Sequence, residues 1–157
     1  MPNLGRRPTF LVHQLNAELA RICNPMFRSL GVDLITSRIL VIVLERGETY
    51  VGDVVDVMAL PQSTVSHQIK RLEAGGFLKR RTDTQDNRAV LLTLTRRGRR
   101  VAEQCDAVSQ SIYAELFADM PAREVENLVT QLQHINDRLR AMTSRDSQQA
   151  PSLEVAQ

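Results

Sequence analysis

Apolar residues recur at spacings of three and four along most of this chain and alternate over one short stretch. In residues 9–30, Leu11, Leu15, Leu19, Ile22 and Met26 form a single stripe, as in a helix with one apolar face. Pro25 falls late in the run and predicts a kink or break near Asn24; Gly31 closes it. Asp33 is a good N-cap for a second helix running to about Arg46. This helix is apolar nearly all round, which predicts a central, buried position, and Gly47 ends it. Residues 49–57 carry Val51, Val54, Val55 and Val57. β-branched residues locally favour a strand, but the element that follows makes this a short third helix completing a helix-turn-helix through Met58-Ala59-Leu60.

Residues 61–74 predict the fourth helix. Pro61 suits a first turn, and Val65, Ile69 and Leu72 point inward. Gly75-Gly76 stops it. Residues 77–82 and 88–94 then read as the two strands of a hairpin, with Val90, Leu92 and Leu94 on one face and a polar turn between. Thr95 caps a helix over residues 96–119 with the stripe Val101, Cys105, Val108, Ile112 and Leu116. Pro121 starts the last helix, whose stripe is Val125, Leu128, Leu132, Ile135, Leu139 and Met142. Residues 1–8 read as a loose basic arm and residues 143–157 as a disordered tail. The fold class is mostly α with a small β-hairpin, an α+β protein.

The fourth helix is unusual for what it leaves outside: Gln62, Ser63, Thr64, Ser66 and His67 over its first turns, then Lys70 and Arg71. Short polar groups at a helix N-terminus suit base edges in a major groove. The hairpin adds Lys79, Arg80, Arg81 and Arg88, suited to phosphates or a narrow minor groove. Composition sharpens this. The chain has 157 residues, one domain's worth, and a net charge of only +2. Yet ten of its 20 Lys and Arg lie in residues 70–100, against Glu73, Asp83 and Asp86. A basic block inside a near-neutral protein is an electrostatic footprint for a polyanion. The chain is 43% hydrophobic but only 4% aromatic, with no Trp, which suits a mostly helical core.

Other chemistries fit poorly. Cys23 and Cys105 make neither a disulfide framework nor a zinc cluster, and the cytoplasm is the natural reading. No apolar run reaches the roughly 18 residues of a membrane span, and no apolar region follows the basic N-terminus as in a signal peptide. Ser66 and His67 are adjacent and diverge by about 100° on a helix, so they do not form a nucleophile–base pair, and no Gly-x-Ser-x-Gly elbow is present. His13, His67 and His134 lie on three segments. The expectation is no enzyme, no cofactor and no metal.

The segment resembles the winged helix-turn-helix of the MarR family of bacterial transcription regulators. The matching pieces are Ser63-Thr64-Val65-Ser66, Leu72-Glu73-Ala74-Gly75-Gly76-Phe77, Asp83, Asp86-Asn87-Arg88, Leu92-Thr93-Leu94-Thr95 and Gly98. The likeness covers about residues 10–140 and is sharpest over 47–98. Asp86 and Arg88 meet the Asp-x-Arg wing motif, and His67 stands where many members place a cation. The resemblance implies a single domain over residues 9–142, with the winged part at 47–98. It implies a homodimer joined through residues 9–30 and 96–142, with Leu15, Leu19, Leu128, Leu132, Ile135 and Leu139 as interface candidates. It also implies a repressor on a pseudo-palindromic double-stranded DNA operator, released by a small aromatic carboxylate, phenol or acyl thioester. Such ligands occupy a crevice between the dimerisation helices and the winged lobe. DNA contacts are then expected from Gln62, Ser63, Thr64, Ser66, His67, Lys70, Arg71, Arg81, Asp86 and Arg88. The chain adds its own detail: His13, Ala17, Arg21 and Asn24 share an arc of the first helix opposite its leucines, and Arg38 adds a cation to an otherwise apolar helix. Candidate ligand contacts are therefore His13, Arg21, Asn24 and Arg38; the plainer account makes Arg21 a solvated residue and Arg38 an ion-pair partner. Two alternatives stand beside this reading: a winged nucleic-acid-binding protein without an effector, and a redox sensor using Cys23 or Cys105, both of which suit a core better.

Overall fold

The computed structural model describes residues 3–84 and 89–149, with side chains to Thr143. It divides into two compact units, residues 1–110 and 111–157.

The first unit opens with a 3-10 turn, Leu4–Arg6, within the stretch expected as a loose arm. Helix α1 (Pro8–Arg28) runs through Pro25 without a break. Pro25 and Arg21, the residue whose carbonyl it leaves unbonded, are both exposed, so the lost hydrogen bond is not buried. Helix α2 (Leu34–Arg46) starts at Asp33 with a full capping box: the Asp33 carboxylate accepts from the Thr36 N–H at 2.8 Å, and the Thr36 hydroxyl accepts from the Asp33 N–H at 2.8 Å. Gly47 ends it. As the all-round apolar pattern predicts, Ile39, Leu40 and Val43 of α2 are buried at the centre.

Residues 49–57, expected as one helix, divide. Thr49–Tyr50 form strand β1, and helix α3 (Val51–Met58) follows at once. Val54 is buried, but Val57 is exposed. Ala59 takes the left-handed conformation (φ 50°) that turns the chain into helix α4 (Gln62–Ala74). Val65, Ile69 and Leu72 of α4 are buried as their spacing predicts, and Pro61 is the N-cap. Strands β2 (Leu78–Thr82) and β3 (Val90–Leu94) form the hairpin. The sheet has three strands in the order β1-β3-β2, all antiparallel, with Thr49 opposite Leu92 and Leu78 opposite Leu94.

Helix α5 (Arg96–Leu116) is locked to this layer by its first turn. The Thr95 hydroxyl accepts from the Gly98 N–H at 2.9 Å and donates to the Gly76 carbonyl at 2.7 Å. The Thr95 N–H donates to the Phe77 carbonyl at 3.0 Å. Arg97 donates to the Gly75 carbonyl at 2.9 Å, and its guanidinium lies 4.4 Å from the centre of the Phe77 ring.

In the second unit, the end of α5 places Tyr113 beside Phe117, ring centres 4.9 Å apart. Helix α6 (Ala122–Gln149) buries Val125. It continues seven residues beyond Met142, where a disordered tail was expected to begin; residues 150–157 lie outside the described part.

Gly98 tests the α5 lock. A Cβ there would lie 1.9 Å from the Phe77 carbonyl oxygen, so backbone must move to admit it. Gly98→Ala is expected to cost about 2–4 kcal/mol, read as a lowered midpoint of thermal unfolding. Gly52→Ala in α3 meets open space and is expected to leave the midpoint unchanged or slightly raised.

Candidate nucleic-acid interface and an adjoining cleft

With Val65, Ile69 and Leu72 holding α4 to the core, Gln62, Ser63 and His67 are exposed and Thr64 and Ser66 half-buried. They form one polar face over the first two turns, and Lys70 extends it. The α4 N-terminus and the hairpin meet at a notch of about 450 Å³. Gln62 and Ser66 line one side, Arg80, Ala89 and Val90 the other, and Tyr50, Val51 and Gly52 lie at its base. Tyr50 is a residue that sequence reasoning missed. Its signal was an exposed aromatic in a stretch read as helix.

Two basic residues of the hairpin are paired with acids. Arg81 reaches Glu48 at 3.1 Å, and Arg80 reaches Glu73 at 3.8 Å. The Tyr50 hydroxyl donates to the Asp83 carboxylate at 2.7 Å. Asp86 and Arg88, the expected wing contacts, lie outside the described residues.

Arg71 departs from the polar face. It reaches the Asp33 carboxylate at 3.1 Å and the Gln68 side chain at 2.6 Å. There it joins the wall of a second feature, a cleft of about 650 Å³ bounded by α1, the start of α2 and the end of α4. Arg28, Arg38 and Arg71 line it with Asn16, Asn24 and Asp33; Val32, Leu34, Ile35, Met58 and Leu60 are its apolar lining. Among the described residues, Arg28 and Arg38 have no carboxylate within 4.0 Å.

Of the four polar residues proposed from the sequence for a ligand, the structure brings two together here, Asn24 and Arg38. Asn24 is partly committed, its side-chain oxygen accepting from the Leu34 N–H at 2.9 Å. His13 and Arg21 are elsewhere. Arg21 is exposed and pairs with Glu18 at 2.7 Å, and His13 lies beside Phe10, ring centres 6.2 Å apart. The arc of α1 that faces the cleft is Asn16, Ala20, Asn24 and Arg28, rotated from the expected one because Cys23 and Phe27 are the residues α1 buries.

Burial pushes the Asp33 carboxyl up, but the hydrogen bonds from the Thr36 N–H and hydroxyl, with Arg71 beside it, outweigh this and hold it below the ordinary value of 3.8. Burial raises the Cys23 thiol, against the opposing effect of Arg38, and pushes Cys105 up to about 11. Both cysteines are therefore protonated and weakly nucleophilic at neutral pH, which removes the support for a cysteine sensor.

A model of the MarR family matches residues 37–90, from α2 to the start of β3. The multiple antibiotic resistance protein MarR of Escherichia coli is 26% identical over 126 residues, 80% of this chain and 85% of that protein. A solved structure of a cysteine-to-serine variant of that protein with operator DNA superposes with a TM-score of 0.70 at 25% identity, covering 80% of this chain and 90% of that one. Over residues 37–90 the chain matches the MarR family, and its relatives and structural neighbours include regulators of that family. BpsR of Bordetella bronchiseptica, studied for regulation of its DNA binding by 6-hydroxynicotinic acid, shares the fold, with a TM-score of 0.75 at 24% identity over 87% of this chain and 98% of that one. The relatives are regulators and not enzymes. Among the described residues, no helix of this chain is long and apolar enough to cross a membrane.

Asp33 carries a pH-dependent prediction. A carboxyl with a lowered pKa stabilises the fold above its ordinary value, and that contribution is lost as the pH falls through the folded value. Asp33→Ala is therefore expected to cost about 1–2 kcal/mol at pH 7, measured by urea unfolding, and the gap to wild type should close below about pH 3.8. The cysteines are checked by alkylation: native protein at neutral pH should react slowly at both, and unfolded protein at both quickly.

Proposed function

We propose that this protein is a homodimeric MarR-family repressor in the cytoplasm that binds a pseudo-palindromic DNA site and leaves it when a small anionic ligand occupies the α1–α2–α4 cleft. The observation that carries this is the placement of α4. Its first two turns present the exposed polar face next to a basic hairpin, and its last turn places Arg71 in the cleft wall. DNA contacts are assigned to Gln62, Ser63, Thr64, Ser66, His67 and Lys70, with Arg81, Asp86 and Arg88 in the wing. Arg71 is reassigned to the cleft. Side chains at the start of a recognition helix reach base edges, and wing cations reach the backbone and minor groove.

Dimerisation is supported by what the chain leaves bare. Leu15 of α1 is 63% exposed, and Leu128, Leu132, Ile135 and Leu139 of α6 are 37–53% exposed. A soluble monomer rarely exposes so much apolar surface on one set of helices. Anion binding is supported by Arg28 and Arg38, which among the described residues have no carboxylate within 4.0 Å and stand beside an apolar lining, since a guanidinium grips a carboxylate through two parallel hydrogen bonds. The likeness to BpsR makes aromatic carboxylates the first class to try.

Selection of DNA from a random pool tests the reading. On the selected site, Thr64→Ala and His67→Ala are each expected to cost roughly 1–3 kcal/mol, with much smaller losses on random DNA. Equal weakening on all sequences would reduce them to backbone contacts. Light scattering should return twice the chain mass of 17.7 kDa; a monomer at micromolar concentration contradicts the assembly. In a panel of aromatic carboxylates beginning with 6-hydroxynicotinic acid, an active compound should release DNA, and Arg28→Ala or Arg38→Ala should raise the concentration required.

A further inference from the structure

We propose that Tyr50 is a positioning residue for DNA binding, a strut from the base of α3 to the hairpin that sets the wing's distance from the recognition helix. The proposal rests on the DNA-binding reading above. Tyr50 lies in the two-residue strand β1, beside β3 and opposite Leu91. Successive strand residues face opposite sides of a sheet: Thr49 is buried at 2% exposure, and Tyr50 is 41% exposed. That outward side chain reaches the notch between Gln62 and Ser66 of α4 and Arg80 and Val90 of the hairpin. Its hydroxyl donates to the Asp83 carboxylate at 2.7 Å.

The position of Asp83 is what gives this contact leverage. Asp83 is the first residue beyond β2, and its N–H donates to the Ala89 carbonyl at 2.9 Å. This is the last backbone bond described before the wing tip. A two-stranded hairpin projecting from its sheet is marginal alone, so a side chain braced against its outermost described rung limits how far that end of β2 moves. The same Tyr50 backbone is the N-cap of α3, and α3 leads through the Ala59 turn into α4. One residue thus joins the wing to the helix-turn-helix at the line where a duplex engaging both must cross.

Tyr50→Phe removes the donor and keeps the ring. The first measurement is amide hydrogen exchange of the full chain without DNA: the Asp83 amide should exchange faster in the variant, with Ile69 and Leu72 of α4 and the thermal midpoint unchanged. The second uses the DNA selected from a random pool. The variant should bind it roughly five- to tenfold more weakly. Minor-groove protection from hydroxyl radicals should be lost where the wing lies, and major-groove protection of guanine N7 retained. An unchanged Asp83 amide overturns the strut. So does wild-type affinity, or loss of protection evenly across both grooves, which would make Tyr50 a fold or direct-contact residue. If wild type selects no DNA, the DNA-binding reading fails instead, and the Asp83 amide alone decides whether the strut exists.

Discussion

The arrangement of this molecule hangs on the close approach of Gly98 to the Phe77 backbone. Phe77 is the last of the three residues between α4 and β2, so its position fixes the angle at which the recognition helix leaves the hairpin. Its N–H bonds to the Leu72 carbonyl at 2.9 Å, and its own carbonyl accepts from the Thr95 N–H. Its ring lies against Gly31 and Gly75 and under the Arg97 guanidinium. None of this admits a side chain at position 98. Gly76, with φ at 71°, makes the tight turn that delivers Phe77 to this place at little steric cost. Helix, hairpin and α5 therefore share one closely packed joint, and the polar face of α4 is oriented by residues that lie outside that face.

Around that joint, acids keep the basic residues in order. Arg81 with Glu48 and Arg80 with Glu73 are half-exposed pairs, each worth little to stability. Their consequence is geometric. A free arginine loses side-chain entropy when it docks on a phosphate, and one already held near its working position loses less. This also explains why a protein meant for a polyanion carries a net charge of only +2. Long-range attraction is kept modest while the local block around the hairpin stays basic, which limits indiscriminate binding.

The parts of this fold that were legible in the sequence are those set by neighbours a few residues away. The Asp33 cap, the Gly47 stop and the Val65, Ile69, Leu72 stripe belong to this class. β1 was not legible, because two residues form a strand only by pairing with Leu91 and Leu92, some forty positions later in the chain. The candidate ligand face of α1 was rotated for a related reason. Its leucine stripe marks an apolar side but does not say whether that side faces the chain's own core; the core is met by Cys23 and Phe27 instead. Arg71 was read onto the polar face because helical spacing sees only its own helix, and its partner Asp33 lies 38 residues away. The family resemblance implied a crevice without naming Arg28, and the coordinates show a cleft that Arg28 lines.

On the function proposed above, the magnitudes also bound how a ligand in the cleft would act on DNA. A ligand shifts a conformational equilibrium only by the difference in its affinity for the two states. The obvious local exchange is an anion taking Arg71 from Asp33. That pair is half-exposed, with side-chain exposures of 51% and 34%, and exposed pairs are worth about 1 kcal/mol at most. Asp33 would keep its bonds to Thr36 and continue to cap α2. The exchange at Arg71 alone therefore supplies no more than about a fivefold change in DNA affinity. In a homodimer the same displacement is made twice, and two recognition helices must match half-sites held about one helical turn apart on DNA. A small rotation of each α4 about the Phe77 joint changes that spacing in both halves at once. On the proposed dimeric reading, regulation stronger than the roughly 25- to 30-fold that two such exchanges allow would come from this lost register, with the Arg71 contact as its trigger.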